Sequence, residues 1–480
     1  MEHTSQPGLG LAIDEGLGAA RIGEELTTPI GSLVSQPPVS VSPEATVAEA
    51  ARAMRDAGAS AALITDEPPG IVTHRDLGER VLAAGVEPGA QVRAVMSRPL
   101  EPFPDSMPVF EALRRMLELG VHHLPVMRQG RVVGILRDAD LLRHQLRSPL
   151  PLLSRIEALR RLSDAPDDYS REVASIAETL FSGGLGVSQI GSVLAAVSDA
   201  LVRRLLALAE RELGPPPCRY SWIVLGSEGR REQVVLSDQD NALVYREDVQ
   251  GADSYFRSLG ELAVDGLIKS GFPRCPGDYM ATSWCKPLAE WQALFRQWVE
   301  VPEPQALLEA QIFLDFRAVQ GDLSLQPLDR ILASGGQRAL FLHNLARAVL
   351  RFRPPLGPLG RIRTDDRGID LKTGGIAPIV MLARLYALAA GATVRPTLGR
   401  LEVAAEAGTL SRAGAEILAE SFRFLTRLRL QEQIRSLRRN EEPSNRVRLE
   451  ALSPLERRRL SEALRAVRKQ QDAAALRFPG

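Results

Sequence analysis

YSWIVLGSEGRREQVVLSDQDNALVY, residues 220–245, decides how the rest of the chain is read. SWIVL is an apolar run of strand length. It leads into Gly226-Ser227 and then into a short polar segment that reads as a helix start. Backbone N–H groups at a helix start point outward and favour anions, so a phosphate fits there. Gly226 lets the backbone approach a ligand closely. SDQDNALVY reads as a second strand. Asp238 and Asp240 are two apart, and on a strand they project from one face. Two carboxylates on one face repel unless a cation lies between them. Mg²⁺ takes oxygen ligands and bridges carboxylates to substrate phosphates. A GS dipeptide or a DxD alone is common. The order strand, GS, polar helix, DxD on an apolar strand is much more specific.

This order resembles the nucleotidyltransferase superfamily that includes DNA polymerase beta and kanamycin nucleotidyltransferase. The longer match GSEGRREQ…SDQDNALVY is similar to the family related to the N-terminal region of PII-protein uridylyltransferase. The resemblance implies a polymerase-beta-like α/β domain with Mg²⁺ on Asp238 and Asp240. It implies an NTP whose triphosphate meets Gly226, Ser227 and Arg230, since Arg230 matches the family's GSxGR pattern. A guanidinium suits planar phosphate recognition, although a surface role for Arg230 reads equally well. The superfamily also takes a third carboxylate from a later strand. Asp315 in IFLDFRAVQGD is the candidate, flanked by Leu314 and Phe316 as one inward acid on an apolar strand. Burial there calls for a metal or Arg317 as its partner. Asp278 in CPGDYMATSW is the competitor, and either acid otherwise reads as a loop or salt-bridge residue.

Upstream lies an internal duplication. Val47, Glu49, Ala50, Met54 and Gly58 recur in the same relative positions as Val109, Glu111, Ala112, Met116 and Gly120. GIVTHRDL (Gly70–Leu77) recurs as GILRDADL (Gly134–Leu141). Each copy reads helix, strand, turn, strand, helix. Thr46 with Glu49 predicts a capping box, and Pro108 suits a helix start. Two such repeats resemble a CBS-domain pair over residues 27–147. The resemblance implies an adenine nucleotide in the cleft between the copies and a homodimer built through the pair. The family contacts ribose with a Thr or Ser three residues before an Asp. Thr73 and Asp76 fit that pattern. The second copy keeps Asp140 but has Arg137 in place of the hydroxyl, so the first copy is expected to carry most of the binding, with Arg137 available to phosphate. Without a ligand, the pair would serve as a dimerisation or spacer module.

Residues 1–26 are Gly-rich without periodicity and read as a flexible arm. Between the repeats and Tyr220 a helical connector ends at Gly214 and Pro215, a strong stop signal. Residues 148–325 are thus expected to hold the connector and the nucleotidyltransferase domain. From 326 to 480 helical stripes dominate and predict a bundle. GIDLKTGGIAPIVMLARLYAL (Gly368–Leu388) resembles the substrate-binding domain that accompanies this nucleotidyltransferase family, which implies that Lys372 contacts nucleotide phosphate. Pairing of Lys372 with Asp370 or a neighbouring acid is the alternative.

The 480 residues make room for about three domains. Lys+Arg and Asp+Glu are equal at 59 each, and no aromatic-rich basic stripe is present, so nucleic acid is not an expected partner. No apolar run reaches the roughly 20 residues needed to cross a bilayer. Cys218, Cys275 and Cys285 form no CxxC pair, which favours a reducing cytoplasm. The expectation is a multidomain α/β and α protein: CBS pair, nucleotidyltransferase domain, helical bundle. Its activity would be Mg²⁺-dependent uridylyl or adenylyl transfer from an NTP to a hydroxyl, on a signalling protein or a small molecule. The alternative is a non-catalytic adenine-nucleotide sensor or scaffold.

Overall fold

The computed structural model describes residues 27–137, 140, 149–235, 238–246, 249–303, 307, 310–357, 360–439 and 441–479. The expected N-terminal arm and the end of the second repeat, residues 141–148, lie outside the described residues. The chain divides into two compact units. One is Met1–Leu150 with Ser182–Gly184; the other is Pro151–Phe181 with Leu185–Gly480.

In the first unit each repeat forms a three-stranded sheet. Strands β1 (Ser40–Val41), β2 (Ala61–Ile64) and β3 (Gly70–Thr73) match β4 (Phe103–Pro104), β5 (His123–Arg128) and β6 (Arg131–Arg137). In both, the first strand runs parallel to the second and the second pairs antiparallel with the third. The helices Val47–Asp56 and Val109–Leu119 bury equivalent stripes, Val47, Ala50 and Met54 against Val109, Ala112 and Met116. Three of the five duplicated residues in each copy are therefore core-facing, whereas Glu49, Gly58 and Gly120 are exposed. Thr46 and Glu49 form the expected capping box, and Pro108 stands at the N-cap of the second helix.

The second unit is built on a four-stranded sheet in the order β10-β7-β8-β9. Here β7 is Tyr220–Val224, β8 Asn241–Tyr245, β9 Cys285–Pro287 and β10 Arg317–Gly321. Every residue of β7 and β8 is buried, as befits central strands. The connector helix Val187–Leu213 ends at Gly214 with φ +87°, the stop expected there.

The sheet region and the C-terminal helices share one apolar core. Trp291, Phe313 and Phe316 belong to the same cluster as Phe341, Ile379, Leu385 and Leu425. The two sides of position 325/326 thus pack against each other through one apolar core. At its centre runs the helix Ala377–Ala389, buried from Pro378 through Leu388. Such a helix has no polar face to offer solvent. Among the described residues no helix is long and apolar enough to cross a membrane.

This shared core yields a first prediction. A fragment spanning residues 151–325 exposes Trp291, Phe313 and Phe316 and should show no cooperative melting transition in calorimetry. The fragment 151–480 should melt cooperatively. A sharp transition in the shorter fragment would show that it folds without the shared core.

Candidate nucleotide site

Strand β7 ends at Val224, and Leu225 caps a single helical turn, Gly226–Gly229. Gly226 has φ +55°, a conformation that favours glycine. A Cβ there would also lie 3.2 Å from Ile312 Cγ1 and 3.5 Å from Asp240 Oδ2. The DxD does not lie within a strand as expected: β8 begins at Asn241, just after it. The ladder nevertheless reaches Asp240, whose carbonyl accepts from the Leu225 amide at 2.8 Å. Asn241 fixes this approach. Its Oδ1 accepts from the Ala281 amide at 2.8 Å, and its Nδ2 donates to Gln239 Oε1 at 3.4 Å.

Asp240 Oδ1 is buried and has no hydrogen-bond partner. Burial, reinforced by Asp238 and opposed by Cys275, Lys372 and Arg230, raises the Asp240 pKa to about 6. The structure thus gathers Gly226, Ser227, Asp238, Asp240, Arg230 and Lys372 in one neighbourhood, although Lys372 lies far along the chain. An orphaned carboxylate oxygen beside a second carboxylate fits a hard divalent cation. Among the described residues no group of three or more His, Cys, Asp or Glu is placed to hold a metal, so the candidate Mg²⁺ site consists of this pair.

Asp315 is placed otherwise than the sequence implied. It ends a 3-10 turn, Phe313–Asp315, ahead of β10 rather than on a strand. It is fully buried, and guanidiniums surround its carboxylate. Oδ1 accepts from Arg384 Nε at 3.1 Å and Arg400 Nη2 at 2.6 Å. Oδ2 accepts from Arg384 Nη2 at 2.5 Å and from Arg230 Nη1. Burial alone would raise its pKa, but Arg384, Arg400 and Arg230 together hold it far below the usual carboxylate range. Its lone pairs are occupied by arginine, which leaves none turned to a metal. Arg317, the partner expected from sequence, instead forks onto Asp199 at 2.7 and 3.0 Å. Asp278, the competitor, is exposed, has φ +56° and accepts from Ser283 Oγ.

Sequence reasoning missed Glu228, Cys275, Arg384 and Arg400. Glu228 is buried on the GSEG turn; burial, then Asp240 and Asp199, push its carboxyl up to about 8. Arg384 carried a readable signal. One cation inside APIVMLARLYALA, apolar on every side, must meet a buried anion.

In the first unit the two repeats treat their Asp differently. Thr73 Oγ1 and the Thr73 amide both donate to Asp76 Oδ2, at 2.7 and 2.9 Å, in a capping box. Arg80 reaches Asp76 Oδ1 at 3.4 Å, and Asp76 is buried. Asp140 instead lines an open cleft of about 790 Å³, with Gln36, Ser60, His123 and Arg137. Ser60 Oγ and His123 Nε2 are 2.8 Å apart, one from each repeat. Arg137 forks onto Asp140 at 3.0 and 3.2 Å. The cleft between the copies thus opens on the repeat that lacks the hydroxyl.

Comparison with known proteins bears on this arrangement. Residues 30–82 and 92–147 match the CBS domain. A CBS domain-containing protein of Bacillus subtilis, YhcV, is 31% identical over 108 residues, covering 22% of this chain and 77% of that protein. The chain belongs to the CBS-domain family. Behind the pair, residues 171–305 match "Putative nucleotidyltransferase DUF294" and residues 339–478 match "Putative nucleotidyltransferase substrate binding domain". The bifunctional glutamine synthetase adenylyltransferase/adenylyl-removing enzyme of Streptomyces coelicolor is 25% identical over 407 residues, 75% of this chain and 39% of that enzyme. An uncharacterized protein of Methanopyrus kandleri is 33% identical over 118 residues, 24% of this chain and 60% of that protein. The chain therefore spans less than two thirds of the length of these last two relatives.

This CBS-pair protein thus carries a nucleotidyltransferase-like domain followed by its helical substrate-binding domain. Asp315 falls between the two matched regions. Its guanidinium partners come from both, Arg230 from the first and Arg384 and Arg400 from the second.

The closeness of the two turns generates a prediction. A Cβ at Gly229 would lie 1.7 Å from the Asp315 carbonyl oxygen, a backbone atom that cannot rotate away. Gly229→Ala should cost about 3 kcal/mol, the upper end for overpacking. Gly58→Ala is the comparison, because its φ is +61° but nothing lies within 4 Å. It should cost only about 1–2 kcal/mol, the price of the left-handed conformation. Thermal melts of both variants check this, and equal losses would contradict the close approach.

Proposed function

We propose that this protein is a Mg²⁺-dependent nucleotidyltransferase that moves a nucleotidyl group from an NTP to a hydroxyl group, under the control of an adenine nucleotide at its CBS pair. The observation that carries this reading is the Asp238–Asp240 pair with its orphaned buried oxygen, set beside the Gly226 turn, Arg230 and Lys372. Asp238 and Asp240 would hold the cation, which supplies charge neutralisation on the phosphates and acidifies the acceptor hydroxyl. Gly226 admits the phosphate chain to the backbone, and Ser227 offers a hydroxyl beside it. Arg230 and Lys372 would offset negative charge on the leaving pyrophosphate. The acceptor oxygen bonds to the α-phosphorus as the bond to pyrophosphate breaks.

The adenylyltransferase relative favours ATP as donor and a protein hydroxyl as acceptor; uridylyl transfer and a small-molecule acceptor are the alternatives. We place the protein in the cytoplasm as a homodimer through its CBS pair. One observation favours a second reading, a nucleotide sensor without catalysis: Asp315, the expected third carboxylate, is bound by arginine instead.

Transfer of label from each α-³²P-NTP in the presence of Mg²⁺ and host lysate separates the two readings. Asp238→Asn and Asp240→Asn should each lower transfer by about 100-fold or more, the several kcal/mol that a bound cation supplies. Melting temperatures should change little. Near-normal turnover of either variant at saturating Mg²⁺ overturns the assignment, and no transfer by the wild type favours the sensor.

At the regulatory pair, the open cleft beside Asp140 is the better candidate for the adenine nucleotide than the buried Thr73–Asp76 box. Asp140→Ala should weaken ATP, ADP or AMP binding about ten- to a hundredfold in calorimetry on the full chain. Asp76→Ala should mainly lower the melting temperature, by loss of its cap. A larger affinity loss for Asp76→Ala would return the site to the first repeat.

A further inference from the structure

Arg230 is the cation nearest in sequence to the Gly226 turn, and two carboxylates hold its guanidinium. Nη1 donates to Asp315 Oδ2, and Nε donates to Glu232 Oε2 at 2.7 Å. Each of those carboxylates is itself gripped from the substrate-binding helices. Arg384, on the helix Ala377–Ala389, and Arg400, on the helix Thr397–Glu406, clamp Asp315. Thr397 donates its hydroxyl to Glu232 Oε2 at 2.9 Å and its amide to Glu232 Oε1. The clamps are in turn oriented. Arg384 Nη1 donates to Gln311 Oε1 at 2.7 Å, and Arg400 Nε donates to the Val394 carbonyl at 2.6 Å.

The charges in this cluster do not cancel. Arg230, Arg384 and Arg400 bring three cations, while Asp315 and Glu232 bring two anions. Arg400 Nη1 is buried and unpartnered, and Arg400 is 3% exposed. An excess buried cation is costly unless an anion offsets it. A phosphate at Arg230 supplies that anion where the Gly226 turn admits one.

We propose that Asp315, Arg384 and Arg400, with Thr397 behind Glu232, are positioning residues that fix the Arg230 guanidinium for triphosphate binding. The inference rests on the nucleotidyl-transfer reading above and adds that the substrate-binding helices set donor affinity through this relay. The catalytic carboxylates hold the metal, and the relay holds the cation that meets the phosphates. A lysine at 384 or 400 keeps the charge but cannot reproduce the two-pronged grip on Asp315.

The test uses the full chain with Mg²⁺. The binding probe is tripolyphosphate, which carries the phosphates without base or ribose, measured by calorimetry. Steady-state rates with ATP give KM and kcat separately. Arg384→Lys and Arg400→Lys should weaken tripolyphosphate binding about tenfold and raise KM by a similar factor, with kcat changed less than about threefold. Thr397→Val, a milder change that removes one hydroxyl, should act in the same direction by a few-fold and keeps the test open where a lysine variant fails to fold. Unchanged tripolyphosphate affinity in folded variants with a lowered melting temperature makes the cluster purely structural and overturns the proposal. So does Asp315→Asn that raises the Mg²⁺ requirement while leaving tripolyphosphate affinity intact, the behaviour of a metal ligand. Wild-type protein that binds neither tripolyphosphate nor any NTP overturns the transfer reading itself, whereas equal binding by wild type and variants overturns the relay alone.

Discussion

Four charged side chains meet largely out of solvent: the buried Asp315 carboxylate, the buried guanidiniums of Arg384 and Arg400, and the partly buried guanidinium of Arg230. Taking them out of water is expensive, several kcal/mol per ion even after relaxation. The cluster persists because every lone pair of the carboxylate is used. Removing one partner from such an arrangement costs about 3–5 kcal/mol, since the rest stays charged and buried. That cost makes the cluster a strict geometric constraint. It ties the turn after β7 to a turn before β10 and to two helices some 70–85 residues further along. Gly229 is the corollary in backbone terms, for the two turns touch so closely that no side chain fits between them.

The acidic and basic halves of the site lie against each other because of this constraint. On one side stand Asp238, Asp240 and Glu228, with Asp199 behind them held by Arg317. On the other stand Arg230 and Lys372, close enough to Asp240 to lower its pKa against the effects of burial and of Asp238. A region of this kind separates charge without neutralising it. The carboxylates alone repel, and the arginines alone exceed their anions. A complex of divalent cation and polyphosphate carries both missing charges in one ligand, cation toward the acids and phosphates toward the guanidiniums.

What could be read from the sequence followed from local order. GSEGR and the DxD lie within 15 residues of each other, so strand, turn and carboxylates could be placed together without knowing the fold. The repeats were legible because Val47, Ala50 and Met54 recur with their partners at helical spacing, and burial does select those positions. Asp315 was misplaced for a physical reason. Apolar neighbours on both sides of one acid describe a strand and a buried turn equally well, and only the arginines from residues 384 and 400 distinguish the two. Those partners are long-range contacts that no local pattern reports. The core shared across 325/326 was out of reach likewise, because a change from strands to helices in sequence is not a change of core. Arg384 was the exception, since a cation inside a wholly apolar helix already announces a buried partner.

The CBS pair shows how one backbone motif meets two surroundings. In both copies the Asp accepts a hydrogen bond from the amide three residues before it, Thr73 to Asp76 and Arg137 to Asp140. The first copy's carboxylate therefore closes the helix start. In the first copy Thr73 adds a short neutral hydroxyl, and the acid is covered by Arg80 as well. In the second copy Arg137 supplies a long cation on the wall of the cleft. A ribose that sought Asp140 there would have to displace a guanidinium, and that guanidinium would turn to a phosphate of the same ligand. The exchange replaces one charge-assisted contact with another, so it favours nucleotides over nucleosides. A hydroxyl at position 137 would bind ribose but would not make that distinction.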